Sequence, residues 1–586
     1  MKNFKFYHIG LLALCLLFQP VSIVKIHSQE LPQKELDWYN LSPTQDKVYG
    51  IGVNEAYRLL QGRKAKPITV ALIGSGIDLM HEDYQTMIWQ NKKEKLNGKD
   101  DDGNGLVDDV HGWNFLGGID KDGTTIAMTS TMNQGDREYF RLREKYADYI
   151  SDGKRFFRFQ GDEMVEVAPP ANVQEYHYYR DTIVYESPLA SRYAGILAAK
   201  MVKHYTKVFD KKLKARFPGQ EITQKEFETL YDKNAPKDLL SDMAFMILGY
   251  SFPLAKTNSW KKIYDVEMAG TPIKQAQQEY EAYLQKHSTD NRQTIVGDDP
   301  YNLLDNHYGN ADLLTEDANV GTMEASIIAA IRGNGKGADG ICNAARIMPL
   351  RATTAGDPYL KDVALAIRYA VDHGAKVMLL PSQNTLFPPV ERKWIADALY
   401  YAEQHDVLAI VPVTESAQDL QKTTYYPNRK MIAGHELTNL MIVAPSDKLG
   451  KPSLKANYGK TELDIHAPGK EIYSAGVGNT YGLSTGTGMA AATLAGAAAL
   501  VRSYFPKLTA AEVRELLNNS VTPMQDMEIE KTIVVNDRKV NDLFTYSDIS
   551  ISGGIVNVAN AVKKVLQEKT ARGNKSTRRV AHSLMR

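Results

Sequence analysis

The sequence predicts a three-layer α/β core, with a mainly parallel sheet between helices, interrupted by a mostly helical insertion. Three observations predict this. From Ile68 onward, short β-branched runs alternate with amphipathic stretches, the pattern of βαβ units that build parallel sheets. Between residues 119 and 292 the alternation gives way to long segments with apolar residues at helical spacing and Lys, Glu and Gln between them. The length of 586 residues suits one large α/β domain with an insertion, or two to three average domains.

The core strands are expected at Val70–Ile73, Ala345–Pro349, Lys376–Leu380, Val407–Val411 and Met441–Val443, each a short apolar run suited to burial on both faces. Core helices are expected at Met323–Ile331, Asp362–Asp372, Lys393–His405, Met489–Phe505 and Ala510–Asn518. In the insertion, Arg137–Tyr149, Ser191–Lys214 and Pro272–Lys286 read as helices. The domain plan is therefore a first part of the core at 29–118, the insertion at 119–292, the remainder of the core at 293–565, and a basic tail at 566–586 that reads as a solvated, disordered terminus.

Residues 1–28 read as a secretory signal peptide. A basic start (Lys2, Lys5) precedes the apolar run Ile9–Phe18, and small, polar sequence begins at Ser28. About 10 to 12 apolar residues fall short of the roughly 20 that span a bilayer, so no transmembrane segment is expected in the mature chain. Export is the expectation, to the periplasm, the cell surface or the medium. Loss of the leader removes Cys15 and leaves Cys342 as the single thiol, so no internal disulfide is expected. Only about 40 residues then precede Ile68, too few for a folded inhibitory domain. Lys+Arg and Asp+Glu balance at 70 each, which gives no electrostatic reason to expect a nucleic-acid partner.

Three segments carry the chemical interest: Val70–Asp78 with His81, Glu82 and Asp83; Val320–Ala330; and Ser484–Ala492. They resemble the active-site motifs of the subtilisin-like serine peptidases (subtilases, peptidase family S8), which read V-A-V-I-D-S-G-I-D-x-x-H-P-D, H-G-T-H-V-A-G-I-I-A-A and S-G-T-S-M-A-A-P. The turn Asp464–Gly469 is similar to the family's D-x-x-A-P-G. The resemblance implies a subtilisin-like fold over roughly residues 48–118 and 298–562, and a serine endopeptidase activity. The chemistry is missing, however. Gly74 stands where the triad aspartate belongs, Val320 where the histidine belongs, and Gly488 at the nucleophile.

A serine protease needs an oxygen to attack, a nitrogen to take its proton and a carboxylate to orient that base; none of the three positions supplies its part. The oxyanion position aligns with Glu415, where a carboxylate repels developing negative charge. In the substrate-aligning stretch, Pro381 has no N–H to offer a paired peptide. Ser75, Asp78, His81, Glu324, Ser326, His466, Ser484, Thr485 and Thr487 include every residue type a relocated centre needs, and each also reads as local structure.

The run Asp100–Asp109 has D-x-D-x-N-G spacing, which sets oxygen ligands around a tight loop; His111 stands where an EF-hand has its glutamate. Calcium is the expected ion, with Asp100, Asp102, Asn104 and Asp108 as ligands. Three functions remain open at this stage. The first is a pseudo-protease that binds a protein or peptide partner, with an active protease relative as one option. The second is an active S8 endopeptidase with a rearranged centre, and the third a calcium-stabilised structural domain.

Overall fold

Strand β1 (Ile68–Gly74) is buried along both faces, as its unbroken apolar run requires. Val70 and Leu72 enter one hydrophobic cluster while Ala71 and Ile73 enter another, because successive side chains in a strand point to opposite faces. The computed structural model describes residues 33–232, 238–287, 290–535 and 538–568. The expected leader, with Cys15, and the tail from residue 569 lie outside the described residues. The 558–568 stretch is helical, so chain order persists slightly past the expected tail boundary at 566.

The remaining strands of the central sheet are β2 (Trp113–Asn114), β3 (Ala345–Arg351), β4 (Val377–Leu379), β5 (Leu408–Pro412), β6 (Leu440–Ser446), β7 (Ile465–Pro468), β8 (Thr522–Pro523) and β9 (Gly554–Ile555). Their order is β8-β9-β7-β6-β5-β4-β1-β3-β2, and every neighbouring pair is parallel except β8 with β9. Helices Asn319–Ala329, Thr487–Tyr504 and Ala510–Asn518 cover one face, and helices Leu360–Asp372 and Pro389–Gln404 the other. The expected three-layer α/β class is the observed one.

Boundaries moved where local signals misled. The helix expected from Met323 starts at Asn319, so Gly321 lies inside it. A Cβ on Gly321 would sit 2.1 Å from the Gly76 carbonyl oxygen, so this glycine permits close approach to the loop after β1 and does not break the helix. Two antiparallel hairpins, Ile472–Gly476 with Thr480–Ser484 and Ile529–Val535 with Arg538–Phe544, were not expected. Adjacent charged pairs, Glu530–Lys531 and Arg538–Lys539, interrupt the period of two in the second hairpin.

The insertion contains the helices Gln134–Tyr146, Pro188–Arg216, Leu239–Leu254, Trp260–Met268 and Thr271–His287. It also holds a three-stranded antiparallel sheet over 150–167, so it is helical with a small sheet. Its free-standing part begins later than residue 119: the 128–131 stretch runs along the core, with Arg351 donating to the Met128 carbonyl (2.6 Å) and Thr131 N–H to that of Ala355 (2.7 Å). The insertion then packs back onto the segment after β4, where Leu386 joins Tyr139, Leu142, Ile183 and Leu189 in one cluster.

A buried ion network fixes the insertion's exit. The Arg292 guanidinium bridges Asp298 (2.7 Å) and Asp362 (2.6 Å), and Lys361 Nζ reaches Asp298 at 2.6 Å, all four side chains being buried. The two carboxylates hold Arg292 firmly protonated against the cost of burial, and Asp298 lies below the usual carboxylate range despite its own burial. Removing one member of such a network leaves uncompensated buried charge. Arg292→Met is therefore expected to lower the unfolding free energy by about 3–5 kcal/mol, read from urea denaturation.

Candidate functional site

In this sheet the carboxyl ends of β1, β4 and β5 lie along one edge, the edge where open α/β sheets hold ligands. Gly74 closes β1 on that edge. Helix Asn319–Ala329 docks beside it: Thr322 Oγ1 accepts the Asp78 N–H at 2.9 Å and donates to the Ala318 carbonyl at 2.8 Å. Gly488 lies in the first turn of helix Thr487–Tyr504. The frame therefore brings the three substituted positions to one place.

What fills that place is Glu324. One helical turn beyond Val320, and so on the same helix face, its carboxyl reaches between the two glycines. A Cβ built on Gly488 would lie 2.5 Å from Glu324 Oε1, and one on Gly74 would lie 3.9 Å from Oε2. A side chain at 488 therefore requires the flexible end of Glu324 to shift. Glu324 is 6% exposed, makes no hydrogen bond or ion pair, and burial alone raises its pKa from 4.5 to about 8. Val320 is 37% exposed and marks the side from which the pocket meets solvent. Beside Gly74, the Ser75 hydroxyl is buried without a partner, an orphan next to a position that lacks its carboxylate.

The other residues of the motifs serve local structure. His81 Nδ1 faces the Asp83 N–H (3.2 Å), Nε2 faces the Thr480 carbonyl (3.3 Å), and the ring stacks on Tyr84. Asp78 accepts N–H groups from Met80 and Gly478. Ser326 Oγ accepts the Ala475 N–H, Ser484 Oγ donates to the Ile472 carbonyl, and Thr485 Oγ1 accepts the Glu471 N–H. His466 sits on β7, four strands from β1 and so roughly 19 Å away. Burial depresses its pKa to about 3. Among the described residues no serine or threonine hydroxyl is hydrogen-bonded to a histidine ring, which is the first contact a relocated nucleophile requires.

The substrate-aligning edge is closed as well as altered. Pro381 lacks an N–H, Gln383 N–H donates to the Pro412 carbonyl (3.1 Å), and Asn384 and Tyr426 exchange a pair of backbone hydrogen bonds, both 2.8 Å. Only Ser382 in this stretch is exposed. Glu415 is also exposed, three residues beyond the end of β5.

The acidic loop is organised differently from the sequence expectation. Asp100 accepts the N–H groups of Gly105 (2.8 Å), Gly103 (2.6 Å) and Asn104 (3.2 Å), which hold it below the usual carboxylate range, the Gly105 bond first. Asp108 accepts those of Asn97 and Gly98. Both carboxylates thus shape the turn. The carboxylates that converge are Glu94, Asp102 and Asp109, with one oxygen of each within 4.8 Å of the others. Only Asp102 belongs to the expected set. Asn104 stands next to the cluster, its amide donating to Asp109 at 2.9 Å. Asn91 bridges Asp102 (3.0 Å) and Asp109 (3.1 Å). Glu94 Oε1 takes two backbone N–H groups, while Oε2 is buried with no partner. An all-oxygen cluster with an unsatisfied carboxylate oxygen fits a hard cation such as calcium.

The Glu324 carboxyl carries a pH signature. Below about pH 4.5 it is protonated in both folded and unfolded chains and costs nothing. As the pH rises toward 8 the unfolded chain ionises while the fold holds the proton, so stability is lost across that window and levels off above it. In Glu324→Val, the gain in melting temperature over the parent is expected to be smallest near pH 5 and to grow to a plateau above pH 8, in paired thermal melts.

Comparison with known proteins accords with this frame. A "Thermophilic serine proteinase" of Bacillus sp. (strain AK1) is 34% identical over 204 residues, covering 35% of this chain and 46% of that protein. The "Cell wall-associated protease" of Bacillus subtilis (strain 168) is 32% identical over 216 residues, 37% of this chain and 22% of its own. Thermitase of Thermoactinomyces vulgaris is 29% identical over 201 residues, 34% of this chain and 66% of its own. The chain thus spans about half the length of the first of these relatives and about a fifth of the second. Among solved structures, the prenylagaramide maturation protease PagA aligns with 23% identity and a TM-score of 0.32, over 42% of this chain and 81% of that one. The sequence model of the subtilase family, Peptidase_S8, matches residues 65–546, and the chain belongs to that family.

Proposed function

We propose that this chain is an exported pseudo-protease, a protein- or peptide-binding or regulatory module that uses the degenerate cleft, the insertion, or both, without hydrolysing peptide bonds. The observation that carries the reading is the Glu324 carboxyl between Gly74 and Gly488, where a working centre needs its nucleophile and base. The closed edge at Pro381–Asn384 supports it from a second segment, since a scissile peptide is normally held by strand pairing there. Export is supported by the basic and apolar start of the sequence and by likeness to a cell wall-associated protease. No helix among the described residues is long and apolar enough to cross a membrane.

The test is labelling with a fluorophosphonate probe together with turnover of a mixed peptide library. The parent is expected to show neither. Restoration by Gly74→Asp, Val320→His and Gly488→Ser is expected to remain unlabelled, because the serine meets Glu324, and labelling is expected once Glu324→Val is added. Probe-sensitive turnover by the repurified parent overturns the reading in favour of a rearranged S8 endopeptidase.

Calcium stabilisation is a second property, favoured by Glu94, Asp102 and Asp109 and the orphaned Glu94 Oε2. Chelation is expected to lower the melting temperature of the parent, while Asp109→Asn removes the calcium response. An unchanged melting temperature on chelation and on calcium addition would exclude it.

A further inference from the structure

Glu324 is 6% exposed and its carboxyl has no protein partner, so its ionised form, largely buried without a counter-charge, is costly. Nothing in the fold offsets that cost. Glu324 is not needed to fill the helix face, because an apolar side chain of similar size would serve without penalty. The space around it is shaped for access. Gly74 contributes no side chain, a Cβ on Gly486 would meet open space, and Val320 one turn earlier is partly exposed. The protein thus keeps a carboxyl without a protein partner beside the open space at Gly486, and such groups mark ligand sites.

The charge of the ligand follows from the surroundings. Glu415, also at this sheet edge, is acidic, and no cation is paired with Glu324. An anionic ligand would face a carboxyl without compensation, whereas a cation supplies both the missing charge and the missing donors. Main-chain pairing offers a guest little here, since Pro381 has no N–H and those of Gln383 and Asn384 are engaged, which leaves only the exposed Ser382. A group that projects toward Glu324 adds what the main chain does not. A single carboxyl is matched by a compact ammonium, which brings three donors to one point, more simply than by a planar guanidinium fork.

We propose that Glu324 is the recognition group of the degenerate cleft and takes a primary ammonium of a bound polypeptide, from a lysine side chain or a chain N-terminus. This deepens the binding-module reading and rests on it. The ammonium nitrogen enters the gap beside Gly74 and Gly486 and donates to Glu324, forming the charge-assisted pair the free protein lacks. Glu324 ionises on binding and its proton passes to solvent, so charge is conserved.

The experiment uses the mature full chain, immobilised, and three hexapeptide libraries randomised around one fixed feature: Nα-acetylated with a single lysine, Nα-acetylated with Nε-acetyl-lysine, and a free N-terminus without lysine. Retained peptides are read by mass spectrometry at pH 7.5. One of the two amine libraries is expected to be retained roughly tenfold or more above the blocked library, the size of a charge-assisted hydrogen bond. Which one identifies the source of the amine. In Glu324→Gln, nearly the same shape without the charge, that ratio is expected to fall to about one. Equal retention of amine and blocked libraries, retention of none, or an unchanged ratio in Glu324→Gln overturns the proposal and leaves the pseudo-protease reading standing. Cleavage products in the eluates would instead overturn that reading itself.

Discussion

Helix Thr487–Tyr504 runs buried across the central sheet, and its narrowness sets the geometry of everything around it. Alanines at 490–492, 495 and 497–499 are fully buried and lie against β4, β5, β6 and β7, with helix Asn319–Ala329 packed alongside. Small side chains let the two helices and the sheet approach closely, so the first turn of one helix and the face of the other meet at the end of β1. That constraint delivers Gly488, Glu324 and Gly74 to one point although they are distant in sequence. Interiors packed this closely tolerate little change in volume. A side chain added at one of these positions must be matched by one removed from another.

The electrostatics of the site follow from that packing. A working triad distributes charge over three side chains that stabilise one another by hydrogen bonds. Here a single carboxyl occupies the same region without a partner, and desolvation alone raises its pKa toward 8. Elsewhere some buried charge is paired: Arg292, Lys361, Asp298 and Asp362 satisfy one another, and Arg429 pairs with Asp464 at 2.6 Å, whereas Glu267, like Glu324, has its pKa raised by burial alone, to about 7. The contrast within one molecule is informative. The pairing absent at Glu324 is present where the insertion and the sheet are fastened.

Much of this was legible in the sequence, and the failures share a cause. Five of the nine central strands and the three substituted positions announce themselves because each lies in one contiguous run, whereas the short strands Trp113–Asn114, Ile465–Pro468, Thr522–Pro523 and Gly554–Ile555 do not. Gly74, Val320 and Gly488 needed no distances to be noticed. Glu324 sits in the middle of one such motif and was legible only as part of it, because its meaning depends on segments from residues 74 and 488 meeting it in space. Glu94 stands six residues before the acidic loop and joins the cluster by folding back, while Asp100 and Asp108, within the expected spacing, turn to the backbone instead. The hairpin at 529–544 was missed for a different reason: the adjacent charged pairs Glu530–Lys531 and Arg538–Lys539 break its period of two.

Four features from separate segments agree at the cleft. Glycines stand at 74 and at 488 on either side of the Glu324 carboxyl, a valine stands at 320, and the stretch after β4 is paired internally through Asn384 and Tyr426. A chain that had merely lost a nucleophile would keep an open edge and a cavity of the old shape. This one has a different occupant and a different rim, and the two are compatible. With the N–H groups of Gln383 and Asn384 already engaged, strand pairing offers a guest little, and the group that projects toward Glu324 carries the proposed recognition. The Glu324 carboxyl, set between Gly74 and Gly488, is the feature of the cleft from which the proposed recognition of an ammonium follows.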